Sequence, residues 1–292
     1  MRRWQRHLPS TRRYTAQRAV FHRAVTDELK FTPILYIETV QMLDPTKRFS
    51  NRVENYVRYR PGYPSEIIAL LRDECGLTPG SVVADIGSGT GKLAELFLKA
   101  GCRVFGVEPN KEMREAGERM DFPNFTSVNA SAEETTLRAR SVDFITAGQA
   151  FHWFDLERSR AEFSRILKPD GWVVIVWNDR HDDTTPFLIA YEELLHKFGT
   201  DYAQAHHRRA DKPEVIHAFF GNEPRFKCFS YAQRFDFEGI KGRLLSSSYA
   251  PVAGQPGHDE MIAELKRMFE QYKKNGMVAF EYDTHLYYGR LA

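Results

Sequence analysis

The chain has 292 residues, 42% of them apolar or aromatic, enough to bury one large core as a single elaborated domain or two small ones. Its 41 basic and 39 acidic residues nearly cancel to a net charge of +2, so no global excess draws it to nucleic acid or to a membrane surface. Cys75, Cys102 and Cys228 form no C-x-x-C pair and no spaced set with histidine, which argues against a disulfide framework or a metal site and fits a reducing, cytoplasmic compartment, while no apolar run approaches the roughly 20 residues of a membrane span.

The first 26 residues hold seven arginines and no acid. That composition reads equally as an organellar transit peptide and as a basic extension upstream of a true start. Met42 directly precedes the domain-like segment LDPTKRFS, so residues 1–41 are expected as a non-catalytic extension and 42–292 as the folded domain, with organellar import left open.

From residue 82 onward, short β-branched runs alternate with helical periodicity, the pattern of a doubly wound α/β fold with a mostly parallel sheet. Residues 82–86 read as a buried strand. Leu93, Leu96, Phe97 and Ala100 repeat at helical spacing, and Gly101 stops that helix as a left-handed cap. A second strand follows at 103–108, then a helix at 110–119 with Asn110 as its N-cap. Three more parallel strands are expected at 125–129, 142–147 and 172–177. A helix at 156–167 precedes the last of these, and Lys168-Pro169-Asp170-Gly171 forms the turn between them. Beyond residue 180 come a helix at 186–198, a charged stretch at 206–212, a β-like run at 225–237, a helix at 259–274 and a final strand at 277–288. The last two strands suit an antiparallel C-terminal edge with a helical insertion, giving seven strands in all.

Gly87-Ser88-Gly89-Thr90-Gly91 places three alternate glycines between the first strand and its helix, where the backbone must turn sharply and admit a ligand at close range. A dinucleotide fingerprint would need glycine where Lys92 stands, and a Walker loop would need serine or threonine where Leu93 stands. Glu108 ends the second strand 19 residues after Gly89, where an acid accepts the hydroxyls of a ribose. Loop and acid together point to a nucleoside ligand.

These residues, with Val107-Glu108-Pro109 and Gly148-Gln149-Ala150-Phe151-His152-Trp153-Phe154, resemble the class I S-adenosylmethionine (SAM)-dependent methyltransferases, in particular the type 11 small-molecule group. The resemblance runs from about Phe49 to the C-terminus. It implies SAM as cofactor, with S-adenosylhomocysteine (SAH) as product, bound in a core over 80–180 with lid and substrate elements at 49–75 and 181–276. It further implies that Asp85 and the backbone at Gly87, Gly89 and Gly91 hold the methionyl part, and Glu108 the ribose. Ser131 and Ala132 stand where the family carries an Asp-Ala pair at the adenine, so the aspartate's hydrogen bond is missing. The Gln149 carbonyl faces the amino group. Tyr56, Tyr59, Arg60, Pro61 and Tyr63 form a lid segment in which Tyr59 and Arg60 reach the cofactor, Arg60 through its carboxylate.

The acceptor is expected to be a small molecule rather than nucleic acid, because residues 149–152 carry neither a Pro-Pro-Tyr-type loop nor a Pro-Cys nucleophile. His152, just after the fourth strand, is the candidate general base; flanked by Phe151, Trp153 and Phe154, it also reads as a packed ring making one structural hydrogen bond. The insertion carrying Ser246-Ser247-Ser248-Tyr249 is expected to wall the acceptor pocket. Arg243 or Lys241 would meet an acidic acceptor there, although any solvated helix carries such charges. A protein that retains SAM binding without turnover is the alternative.

Overall fold

The structure, a computed structural model, describes residues 52–202 and 212–292; the extension expected over 1–41 and nearly all of the charged stretch at 206–212 lie outside the described residues. In chain order the elements are α1 (Val53–Tyr59), α2 (Glu66–Cys75), β1 (Val82–Ile86), α3 (Lys92–Lys99), β2 (Arg103–Val107), α4 (Lys111–Glu118), β3 (Phe125–Val128), β4 (Val142–Gly148), α5 (Leu156–Ile166), β5 (Leu167–Arg180), α6 (Pro186–Phe198), α7 (Pro213–Phe220), β6 (Arg225–Phe235), α8 (Phe237–Leu245), α9 (His258–Tyr272) and β7 (Val278–Gly289).

The strands form one seven-stranded sheet in the order β3-β2-β1-β4-β5-β7-β6. The first five are parallel, and β7 runs antiparallel between β5 and β6. Side-chain alternation sends successive residues to opposite faces. Val83 and Val174 pack with Ile67, Leu71 and Phe97 on one face, whereas Ala84, Ile86 and Val173 pack with Phe163 and Ile166 on the other. Both faces of β1 are covered, which is why its sequence is almost wholly apolar. Gly101 ends α3 at φ 89°, as its position in the sequence implies.

The segment expected as a turn before β5 is folded into the strand instead. The β4–β5 ladder passes from Val142↔Leu167 to Phe144↔Trp172, so residues 168–171 bulge opposite Asp143 alone. Asp143 holds the bulge by accepting from Lys168 Nζ at 2.7 Å and from the Val82 amide at 2.9 Å. The run expected to 237 stops at Phe235, because the Asp236 side chain accepts the Gly239 amide at 2.8 Å and caps α8.

The long strands β5 and β7 matter most for the site. The pairing of β4 with β5 ends at Gly148↔Val176, while β5 continues against β7 from Trp177↔His285 to Arg180↔Tyr282. This ribbon rises past the carboxyl ends of the parallel strands. There α6, α8 and α9 close over it in a separate core around Phe280, with Tyr191, Ile240, Leu244 and Leu265. Phe280 is 0% exposed, and its ring lies edge-on to Tyr191 at 4.8 Å and to Phe187 at 5.7 Å. Phe280→Ala should therefore cost about 3–5 kcal/mol of stability, read by urea denaturation of the full chain. A loss below about 1 kcal/mol would mean that this core repacks without the ring.

Candidate active site

The strand order reverses between β1 and its neighbours β2 and β4, and open α/β sheets bind ligands in the crevice outside such a switch point. A cavity of about 510 Å³ opens there. Its floor is the loop after β1, where Gly87, Gly89 and Gly91 have φ of 66°, 54° and 82°, a region L side chains rarely adopt. A Cβ on Gly87 would come within 2.5 Å of the Ala150 Cβ. The alternate glycines are thus required by the backbone path itself.

Asp85 and Glu108 flank this loop. Asp85, 1% exposed, pairs with Thr146 across the β1–β4 ladder and accepts the Thr146 hydroxyl at 2.8 Å through Oδ1. Its Oδ2 is buried without a hydrogen-bond partner. Burial pushes its pKa up to about 7; the Thr146 hydroxyl and the Ala94 amide pull it down and the Glu108 charge adds to the rise. Glu108 accepts the Gly89 amide through Oε2 at 2.9 Å and the Asn110 amide through Oε1 at 2.8 Å. Burial raises its pKa too, against those two amides and the Arg114 charge. Each Glu108 oxygen keeps a second lone pair for a ligand hydroxyl.

The far wall is built from the β4 end and the β5 extension. Gln149 has φ 55°, and its amide closes a pair with the Asn178 backbone, accepting the N–H at 2.9 Å and donating to the carbonyl at 3.2 Å. Asn178 in turn donates to the Gly62 carbonyl at 2.9 Å and accepts the Thr284 hydroxyl at 2.6 Å. One asparagine therefore ties β4, β7 and the α1–α2 connection together. His152 lies in a single 3-10 turn, Phe151–Trp153, with its ring 4.6 Å from Trp153 and 5.4 Å from Trp177.

Arg60 enters from the C-cap of α1. It donates to Ser246 Oγ at 3.0 Å and to Ser247 Oγ at 3.3 Å, and lies 5.3 Å from the Tyr56 ring. Burial lowers its pKa, and the like charge of Arg243 adds to the effect. Arg52 holds the segment behind it by donating to the carbonyls of Leu245, Ser247 and Ala250.

Of the residues expected at the cofactor, the cavity wall brings together Arg60, Asp85, Gly87, Gly89, Glu108, Ser131, Ala132, Gln149 and His152. Two lie elsewhere. Tyr59 turns away from the cavity onto α8, where its ring leaves no room for a Cβ on Gly242. Gly91 is the N-cap of α3, and the space beside it is filled by Met120. The wall also includes Trp177, Asn178, Tyr202 and Tyr282, which carry no local motif and arrive through the β5–β7 extension and the residues after α6. Away from the cavity, cross-strand pairing brings Cys228, Asp283 and His285 within 4.8 Å of one another on the β6–β7 surface, a juxtaposition that linear spacing did not reveal.

A family model for a methyltransferase domain matches residues 84–175, from β1 into β5. A Dictyostelium discoideum protein named as a methyltransferase is 32% identical over 238 residues, 78% of this chain and 89% of its own length. An uncharacterized methyltransferase of Schizosaccharomyces pombe is 29% identical over 227 residues, 77% and 88% of the two chains. Among solved structures, a type II methyltransferase from Anaeromyxobacter dehalogenans shares the fold with a TM-score of 0.61 at 20% identity, covering 80% of this chain and 98% of its own. The chain belongs to the SAM-dependent methyltransferase family. No described helix is long and apolar enough to cross a membrane.

The Asp85 carboxyl sets a pH signature. With its folded pKa near 7 and an unfolded value near 3.8, folding takes up a proton between those limits, so the group disfavours the folded state increasingly as pH rises and fully above pH 7. Relative to wild type, Asp85→Asn should gain stability between about pH 4 and pH 8, by up to about 4 kcal/mol in chemical denaturation without ligand. A difference that does not vary with pH would mean that Asp85 stays ionised throughout.

Proposed function

We propose that the cavity binds SAM and that the enzyme passes its methyl group to a small-molecule acceptor by in-line displacement. The observation carrying this reading is the pairing of the orphaned Asp85 Oδ2 with a glycine loop and an amide-anchored Glu108 at the switch point. Asp85 suits an ammonium group, the Gly87 and Gly89 backbone admits a close-lying chain, and Glu108 suits vicinal hydroxyls. Ser131 and Ala132 line the end where a base would lie. Arg60, on the same wall, would meet the cofactor's carboxylate, and the Gln149 carbonyl would accept from its amino group.

Bound SAM supplies an electrophilic methyl on a sulfonium. The task left to the protein is alignment and exclusion of water. Tyr56, Arg60 and Tyr63 from the α1–α2 region, with Arg243 of α8 and Ser248 and Tyr249 after it, serve as lid and acceptor walls, and the rings of Trp153, Phe154 and Trp177 shield the sulfonium. His152, on the same wall, takes the proton where the acceptor loses one.

Calorimetric titration with SAH tests the cofactor half of the reading. Wild type should bind, Gly89→Arg should not, and Glu108→Ala should bind more than about tenfold more weakly, because ribose hydroxyls lose a buried acceptor. Unchanged affinity in Glu108→Ala would remove this residue from the site. His152→Ala should keep SAH affinity while slowing methyl transfer by about 10²-fold or more, and full turnover in that variant would leave His152 a packing role alone.

A further inference from the structure

Two arginines of the cavity converge on one hydroxyl. Arg60 donates to Ser247 Oγ at 3.3 Å and Arg243 donates to the same atom at 3.4 Å, and Ser247 itself is 0% exposed. Arg243, on α8, is 5% exposed yet lies on the cavity wall. Among the described residues it also makes a long hydrogen bond to the Tyr282 hydroxyl, 3.4 Å, lies over the face of Phe280 at 5.6 Å, and has Tyr191 and Tyr249 nearby. Among the described residues, no carboxylate contacts either guanidinium. The third arginine of the wall is treated differently: Arg180 pairs with Glu192, which also accepts the Tyr202 hydroxyl at 2.5 Å. Lys241, the other cation expected near the acceptor, is not on the wall.

A buried guanidinium with no counter-charge is retained against a large desolvation cost, and such groups mark sites where an anion arrives from outside. The cofactor cannot satisfy both. On the reading proposed above, on which this inference rests, SAM brings one carboxylate for Arg60 and one ammonium for Asp85. The Arg243 guanidinium then still lacks an ion-pair partner among the described residues, and an anionic acceptor supplies one.

We propose that Arg243 is the specificity-determining anchor for the acceptor, and that the acceptor is a small anionic molecule whose carboxylate or phosphate docks on this guanidinium beside Tyr249 and Tyr282. The planar donor fork suits either oxyanion, and the two phenols supply further donors.

The test uses the full chain saturated with SAH and titrated by calorimetry with citrate, phenylacetate and phenyl phosphate, with the neutral 2-phenylethanol as control. At least one oxyanion should bind wild type, bind Arg243→Gln about tenfold or more weakly, and bind Arg243→Lys with intermediate affinity, while SAH affinity shifts less than about threefold across the three proteins. The stronger of the carboxylate and phosphate arms identifies the source of the anion. Arg243→Lys keeps the charge and loses the fork, so it carries the comparison if the glutamine variant does not fold. The proposal is overturned if no oxyanion binds the SAH complex, or if the arginine variants bind as wild type does. Failure of SAH itself to bind folded wild type is a separate result that removes the cofactor reading before any anion is added.

Discussion

A single carboxylate with one unsatisfied oxygen sets the terms for the rest of this structure. Asp85 is the penultimate residue of β1, where both sheet faces are covered, and Thr146 offers its side chain a hydroxyl. Such a group is costly to fold around, and its pKa near 7 expresses that cost. The surrounding architecture makes sense as the means of holding it there. Parallel neighbours on both sides of β1 fix its position, and the reversal of strand order leaves a crevice directly beyond it. The glycine turn then carries the chain away without filling the space.

The second half of the site is made by length rather than by motif. Because β5 and β7 outrun the parallel strands, their last residues become a wall instead of a sheet interior. Asn178 joins that wall to β4, to β7 and to the segment before α2, so the glycine-loop side and the β5–β7 side of the cavity share one hydrogen-bonded corner. The helices over this extension then deliver Arg243 and Tyr249 to the cavity from a part of the chain nearly a hundred residues beyond the β4 loop.

This division explains what the sequence disclosed. The glycine loop was legible because positive φ leaves a compositional trace, and the spacing of Gly89 and Glu108 was legible because a strand–helix–strand unit fixes it; the two residues share a hydrogen bond. Thr146, Trp177 and Asn178 were not legible, because their roles arise from which strands pair and how far they extend. Tyr59 and Arg60 are adjacent in sequence, yet the chain leaves α1 between them and sends one to α8 and the other to the cavity. Arg243 was legible only as one of two cations, with Lys241, that an acidic acceptor could meet; its burial beside Arg60, with no carboxylate partner among the described residues, is a tertiary fact.

The central claim is that Asp85 is held ready for a cationic group of the cofactor, and proton-linked calorimetry tests it most directly. SAH is titrated near pH 7 in buffers of different ionisation enthalpy, with wild type beside Asp85→Asn. The account predicts release of up to about half a proton on binding to wild type, as the arriving ammonium stabilises the ionised carboxylate, and loss of that release in the variant. The same proton count in both proteins would contradict it.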